Sequence, residues 1–231
     1  MLFMQSFSTI LLTCLVPLWA LLLGYPLLCF FIKPQGNSSG TPVLALALAL
    51  GWGLLSHLLW LLAAVSSVSE INLFQLWVIL SLLGITVVLL WRSTISLTRE
   101  AFQAACRFSK AFRVLPPLAK LGNALLWLLL ALILLRIILS ALIPSFLYDV
   151  LEYHLPEARF IATSGSLRPI PGNSYSLMPQ GVEILFALGI VLEGSHSGYA
   201  PKLIHISLGL SAALLLNALL KHFSLAMWLR G

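Results

Sequence analysis

The sequence predicts an all-α, polytopic helical membrane protein of about six transmembrane helices with amphipathic interfacial helices. Three observations predict it. Of 231 residues, 60% are hydrophobic and 9% charged, and mean hydropathy is +1.03, more apolar surface than a soluble domain of this length can bury. Five apolar stretches have about the length that crosses a hydrocarbon core and a sixth is shorter. The alternation of apolar and polar residues that marks a membrane β-barrel is missing.

The first stretch runs from Thr9 to Ile32. Residues 1–8 carry no Lys or Arg and the run is too long for a signal-peptide core, so it reads as a retained span. Residues 33–42 form a Pro- and Gly-containing turn, in which Asn37-Ser38-Ser39 matches a glycosylation acceptor that the topology places on the inner side. Spans two and three cover Val43–Val65 and Leu73–Trp91. Residues 92–120 then hold Arg92, Arg99, Arg107, Lys110, Arg113 and Lys120 against Glu100 alone, which makes this segment cytoplasmic. At 100° per residue Leu97, Ala101, Ala104, Ala105, Phe108, Phe112 and Leu115 share one face, as in a helix lying on the inner leaflet. Pro116-Pro117 is expected to end it. The basic charge therefore speaks for topology and anionic lipid, with no nucleic acid implied.

Span four, Asn123–Leu142, leads to an external loop over residues 145–180. Counting back places the N-terminus outside. Span five, Gly181–Leu192, is short; residues 194–198 turn the chain with Lys202 on the inner side, and span six covers Leu203–Leu220. The organisation expected is three additional N-terminal helices (1–91), a cytoplasmic basic segment (92–122) and a membrane core with the external loop (123–231). The chain stops just past a helix, as expected of the N-terminal part of a longer protein. Cys14, Cys29 and Cys106 have no metal or redox spacing and read as small buried hydrophobes.

Three of the seven acids, Asp149, Glu152 and Glu157, fall just after span four. A helix over 148–164 puts Asp149, Tyr153, Pro156, Phe160 and Thr163 on one face. Glu152 and Arg159 flank it on one side and Glu157 on the other, turned to an aqueous cavity. Val150, Leu151, His154, Leu155, Ala158 and Ile161 form the apolar side. Pro156 is expected to kink or divide the helix. Asp149 and Glu152, three apart, fit two compatible readings. They are a helix capping box, or a carboxyl pair whose split pKa values leave one as a base and which could hold a divalent cation with substrate phosphate.

The segment Tyr148-Asp-Val-Leu-Glu-Tyr-His-Leu-Pro-Glu-Ala-Arg-Phe160 resembles the first external loop of GT-C membrane glycosyltransferases. Residues 169–175, 178–188 and 200–210 resemble the loop's return and the following spans, so the similarity covers about residues 123–220. The resemblance implies transfer of a sugar from a polyprenyl-phosphate donor to a lipid, glycan or protein acceptor at the outer face of a bacterial inner membrane. It implies Asp149 as the base, with Glu152 tuning it, touching the acceptor or helping to hold a metal. Two features depart from the family pattern. Three spans precede the helix that ordinarily comes first, and the later spans that complete the donor and acceptor sites are absent. Tyr153, His154 and Arg159 are further candidate substrate contacts, with Arg159 also able to pair with Glu152. Arg136, inside span four, costs roughly 2.5–3.5 kcal/mol on insertion scales and is expected to meet a donor phosphate, pair with Glu183 or snorkel. No cofactor is certain. The alternative function is a non-catalytic membrane subunit or transporter part.

Overall fold

The computed structural model describes residues 2–31, 40–69, 84, 106, 116–143, 150–178, 180–193 and 198–228. Spans three and the basic amphipathic helix lie almost wholly outside these. Among the described residues the chain is all-helical. Its elements are α1 (Leu2–Phe31), α2 (Gly40–Ser69), α3 (Pro117–Ala141), a π-helical turn (Val150–His154), α4 (Leu155–Ser164), a 3₁₀ turn (Ser174–Leu177), α5 (Glu183–Glu193) and α6 (Tyr199–Trp228).

Three of these helices are long and apolar enough to cross a membrane: α2 over Pro42–Ser66, α3 over Pro117–Ala141, and α6 over Tyr199–Leu220. A shorter apolar stretch, Leu15–Phe31, lies in α1. The helix α3 is the most telling, with only 6% of its apolar window buried. Leu121, Leu125, Leu126, Trp127, Leu128, Leu129 and Leu132 are all exposed. A helix apolar all round and barely covered by protein is stable in hydrocarbon and not in water.

The start of α3 differs from expectation. Pro116-Pro117 opens this helix, while the amphipathic helix that the pair was expected to end lies outside the described residues. Pro116 is the extended N-cap residue, at φ −63° and ψ 155°, and Pro117 is the first helical residue. Proline suits that position because its missing N–H would have no intrahelical acceptor and its φ is already helical. The helix therefore begins six residues before Asn123, whose side chain donates back to the Ala119 carbonyl at 2.9 Å.

Helices α1 and α2 run antiparallel and very close. Their contact is built from two spaced pairs of small residues, Ala20 with Gly24 and Ala47 with Gly51. A Cβ placed on Gly24 would drive into the Ala47 carbonyl, and one on Gly51 into the Ala20 carbonyl. Small residues four apart let two backbones approach where lipid supplies no hydrophobic drive, so dispersion between close-packed chains holds them. Pro17 and Pro26 sit within α1; a membrane helix tolerates the bonds they remove because neighbouring helices re-satisfy the freed carbonyls.

One core joins α1, α2, α4, α5 and α6. Val16, Ala20, Trp52, Leu55, Leu59, Ala158, Ile161, Ile184, Leu188 and Ile204 are buried in it. Thus the N-terminal helices, set apart by composition in the sequence, pack directly on the segment that carries the acids. The buried Trp52 Nε1 donates to Ser211 Oγ of α6 at 3.1 Å, and Ser211 passes its own proton to the Ser207 carbonyl at 2.7 Å. Trp52→Phe should therefore lower stability by about 1–3 kcal/mol, read as a lower thermal midpoint in detergent. Ser211→Ala in the Trp52→Phe background should then cost little more, since the two share one bond.

The expected fifth span is not among the described helices long and apolar enough to cross a membrane. Helix α5 has 11 residues, about 16 Å at 1.5 Å per residue, against a hydrocarbon core about 30 Å thick. Its residues 183–190 are all buried, as in a core helix held among longer ones. Moreover Lys202 Nζ, at the start of α6, donates to the Ile143 carbonyl at the end of α3. The end of α3 and the beginning of α6 therefore lie at one face. The described residues between α3 and α6 form an excursion whose flanking helix ends meet, and Lys202 stands at the Ile143 end of α3.

Candidate functional site

The acids of the excursion are positioned by a break in helical geometry. Pro156 is one of the first residues of α4, and it has no N–H to give the carbonyl of residue 152. The chain widens into the π turn of Val150–His154 just before it, and the Glu152 carbonyl instead accepts from Asn173 Nδ2 at 3.2 Å. The expectation that Pro156 divides the helix is met in this form. Asn173 also caps the 3₁₀ turn, its Oδ1 accepting from the Tyr175 N–H at 3.0 Å. One side chain thus ties the returning loop to the acid-bearing turn. Asn173→Ala should cost about 1 kcal/mol locally, visible as faster backbone exchange over 150–154 and 174–177 with global unfolding little changed.

Helix α4 ends at Gly165, whose left-handed backbone (φ 66°) lets its N–H close on the Ile161 carbonyl at 2.8 Å. Leu155, Ala158 and Ile161 are buried as the apolar face, in line with the periodicity. Leu151 departs from it: it is exposed, because the π turn rotates residues before Pro156 out of α4's register.

The aromatic and acidic groups meet where α4 packs on α5. Tyr153 stacks on Tyr175 with ring centres 5.0 Å apart and lies 3.9 Å from the His154 ring. His154 meets the edge of Phe186 at 6.4 Å, and Phe186 in turn approaches His205 at 6.0 Å. His154 Nδ1 bonds Glu183 Oε1 at 2.7 Å; with a carboxylate opposite, the proton is assigned to Nδ1. Glu183 is thereby committed to His154, and the pairing with Arg136 expected from sequence does not form. Arg136 is exposed in the last turns of α3, five residues from its end, where a long side chain reaches the interface.

Glu157 is the group that sequence reasoning misplaced. It was expected to flank the wet face; it is 2% exposed. The sequence signal available was its position next to Ala158 and four residues before Ile161, which does not by itself separate a flank from a core. Its Oε1 has no hydrogen-bond partner among the described residues. Burial first, and the neighbouring Glu183 carboxylate second, push its pKa above the ordinary carboxyl value, against a hydrogen bond from the Gln180 side chain and the nearby His154, which act the other way.

Of the candidates named from sequence, Tyr153 and His154 are brought together with Glu183. Glu152 is exposed on the same turn and Arg159 is half-buried on α4. Asp149 lies outside the described residues, immediately before the π turn. Among the described residues no three of His, Cys, Asp and Glu come close enough to hold a metal ion, so Glu152 has no cation-binding partner among them.

Among the described residues the chain is all-helical, with three helices long and apolar enough to cross a membrane and an excursion between α3 and α6 that carries carboxyl, imidazole and phenol groups. Comparison with protein-family models, with curated proteins and with solved structures finds no match.

Proposed function

We propose that this chain is the N-terminal membrane portion of a GT-C-like glycosyltransferase, acting at the extracytoplasmic face on a polyprenyl-phosphate-linked sugar. The observation that carries the reading is the Tyr148–Phe160 segment, whose one aspartate is Asp149, following in sequence on an apolar helix. Its support from geometry is positional: α3 delivers this segment to the face from which α6 later returns.

In the proposed step Asp149 takes the proton of an acceptor hydroxyl while that oxygen attacks the anomeric carbon. The bond from the anomeric carbon to the phosphate oxygen breaks on the opposite side, its electron pair leaves with the lipid phosphate, and configuration inverts. Glu152, three residues on in sequence and exposed, would raise the basicity of Asp149 by charge repulsion. Tyr153 and Arg159 are the proposed sugar and phosphate contacts. Arg136, exposed in the last turns of α3, is placed to meet the donor phosphate at the interface. His154 acts here through Glu183 rather than by direct contact.

The test is sugar transfer from a polyprenyl-phosphate donor in liposomes by the complete protein, with Asp149→Asn at matched abundance. Loss of transfer in the variant supports the reading. Equal turnover by both removes Asp149 as base, and no transfer by the unaltered complete protein, over a panel of donors and acceptors, favours the non-catalytic subunit or transporter part.

A further inference from the structure

We propose that Glu157 and Glu183 form a buried proton-binding site, in which one proton is held on Glu157 while His154 fixes the negative charge on Glu183, and that this proton keeps α4 seated on α5. The inference does not depend on the transferase reading.

Three observations carry it. Glu157 and Glu183 are 2% and 6% exposed, they sit on α4 and α5, which pack on one another, and the Glu183 charge is among the causes that raise the Glu157 carboxyl. Two buried carboxylates side by side repel, and the less expensive state holds one proton. The partners are also unequal. Glu183 receives the short bond from His154, a donor that stabilises a carboxylate. Among the described residues Glu157 receives the Gln180 amide, and its Oε1, itself shielded from solvent, has no hydrogen-bond partner there. An orphaned oxygen on an anion costs far more than one on a neutral acid, so the proton belongs on Glu157.

Among the described residues no ion pair to Glu157 is formed. Residues 2–31 of α1 contain no acid, base or histidine. The histidine of α2, His57, is exposed and bonds its own helix at the Gly53 carbonyl. From α6, Lys202 is held by the Ile143 carbonyl, beside Glu193, and His205 touches Phe186. Arg159 and Arg168 belong to the excursion, and each has partners of its own.

A raised carboxyl pKa has a definite sign. The folded state binds the proton more tightly than the unfolded one, so its stabilisation is complete below the ordinary carboxyl range and is lost as pH rises through the raised value. Loss of the proton places a second negative charge against Glu183 and should unseat α4.

The experiment uses the full chain in phosphatidylcholine nanodiscs. The first readout is the infrared carbonyl band of a protonated carboxylic acid, followed as pH is raised from 4 to 9. The wild type should keep the band above the pH at which free carboxyls lose theirs, and Glu157→Gln should remove it. The second is hydrogen exchange over residues 155–164, corrected for intrinsic rates. Wild-type protection should fall by about tenfold or more across the titration, whereas the Glu157→Gln chain, with a neutral isostere, should stay protected throughout. In Glu183→Gln the band should vanish at lower pH, because the neighbouring charge is gone. Absence of the band in the wild type above the free-carboxyl range overturns the proposal, as does an unchanged band or an unchanged pH slope in Glu157→Gln.

Discussion

Gly51→Leu should abolish the folded bundle. A Cβ at that position meets the Ala20 carbonyl and backbone of α1, and a backbone cannot swing aside as a side chain can. The two helices must separate, which exposes the small-residue seam and strips dispersion contacts along it. Ordinary overpacking costs about 1–3 kcal/mol. Here the obstacle is rigid and the seam anchors a core shared with α4, α5 and α6, so the loss should exceed about 3 kcal/mol, a large part of a typical domain's stability. Thermal unfolding in detergent, together with monodisperse yield, measures it. Gly24→Leu should behave alike, since its Cβ meets the Ala47 carbonyl. The control is Gly53→Ala, two residues away on the same helix, where a Cβ meets nothing within 4 Å. It should be neutral, or stabilising by up to about 1 kcal/mol from helix propensity. A Gly51→Leu chain with an unchanged midpoint would show that the close approach of α1 and α2 is not what holds the bundle.

The second large effect is expected at Asp149. If this carboxylate is the base, Asp149→Asn removes proton acceptance while keeping size and hydrogen-bonding shape, and transfer should fall by about 10²–10⁴-fold. The fall should appear in kcat more than in KM, because the interaction lost is one made in the transition state. Glu152→Gln should have a smaller effect and displace the acidic limb of the pH profile downward, since it takes a negative charge from beside the base. A purely capping role for Asp149 predicts otherwise. Asn is as good a cap as Asp, so the variant would lose neither stability nor turnover. Steady-state transfer with the complete protein separates the two.

Much of the fold is legible in the sequence because hydropathy is local. The runs behind α2, α3 and α6 are long enough to identify a span whatever packs around them. The buried face of α4 is legible too, since Leu155, Ala158 and Ile161 recur at helical spacing. Proline was harder. The same Pro116-Pro117 pair can stop one helix or start the next, and the pattern before and after it favoured neither. The small pairs Ala20/Gly24 and Ala47/Gly51 were present as a readable signal of close helix packing, but they point to a partner only once the opposing helix is known.

The candidate site was legible in part. Clustered acids beside a span mark the excursion, and Tyr153 and His154 meet there with Glu183. The spacing could not bring Glu183 into that group, because 29 residues separate it from His154. Nor could it assign Glu157, whose face depends on the π turn before Pro156 and on what covers α4.

What the sequence determined alone is the solvent: these apolar runs need hydrocarbon, and prolines mark their ends, because transfer free energy and the missing proline N–H belong to each residue wherever it sits. What only the tertiary structure decided is which polar groups are dry. Helix α5 is short enough to be enclosed instead of crossing, and its enclosure by α1, α2 and α6 brings Glu183 against α4, where Glu157 is shut in with it. Desolvation is a property of everything packed around a group, so no local pattern could have set it.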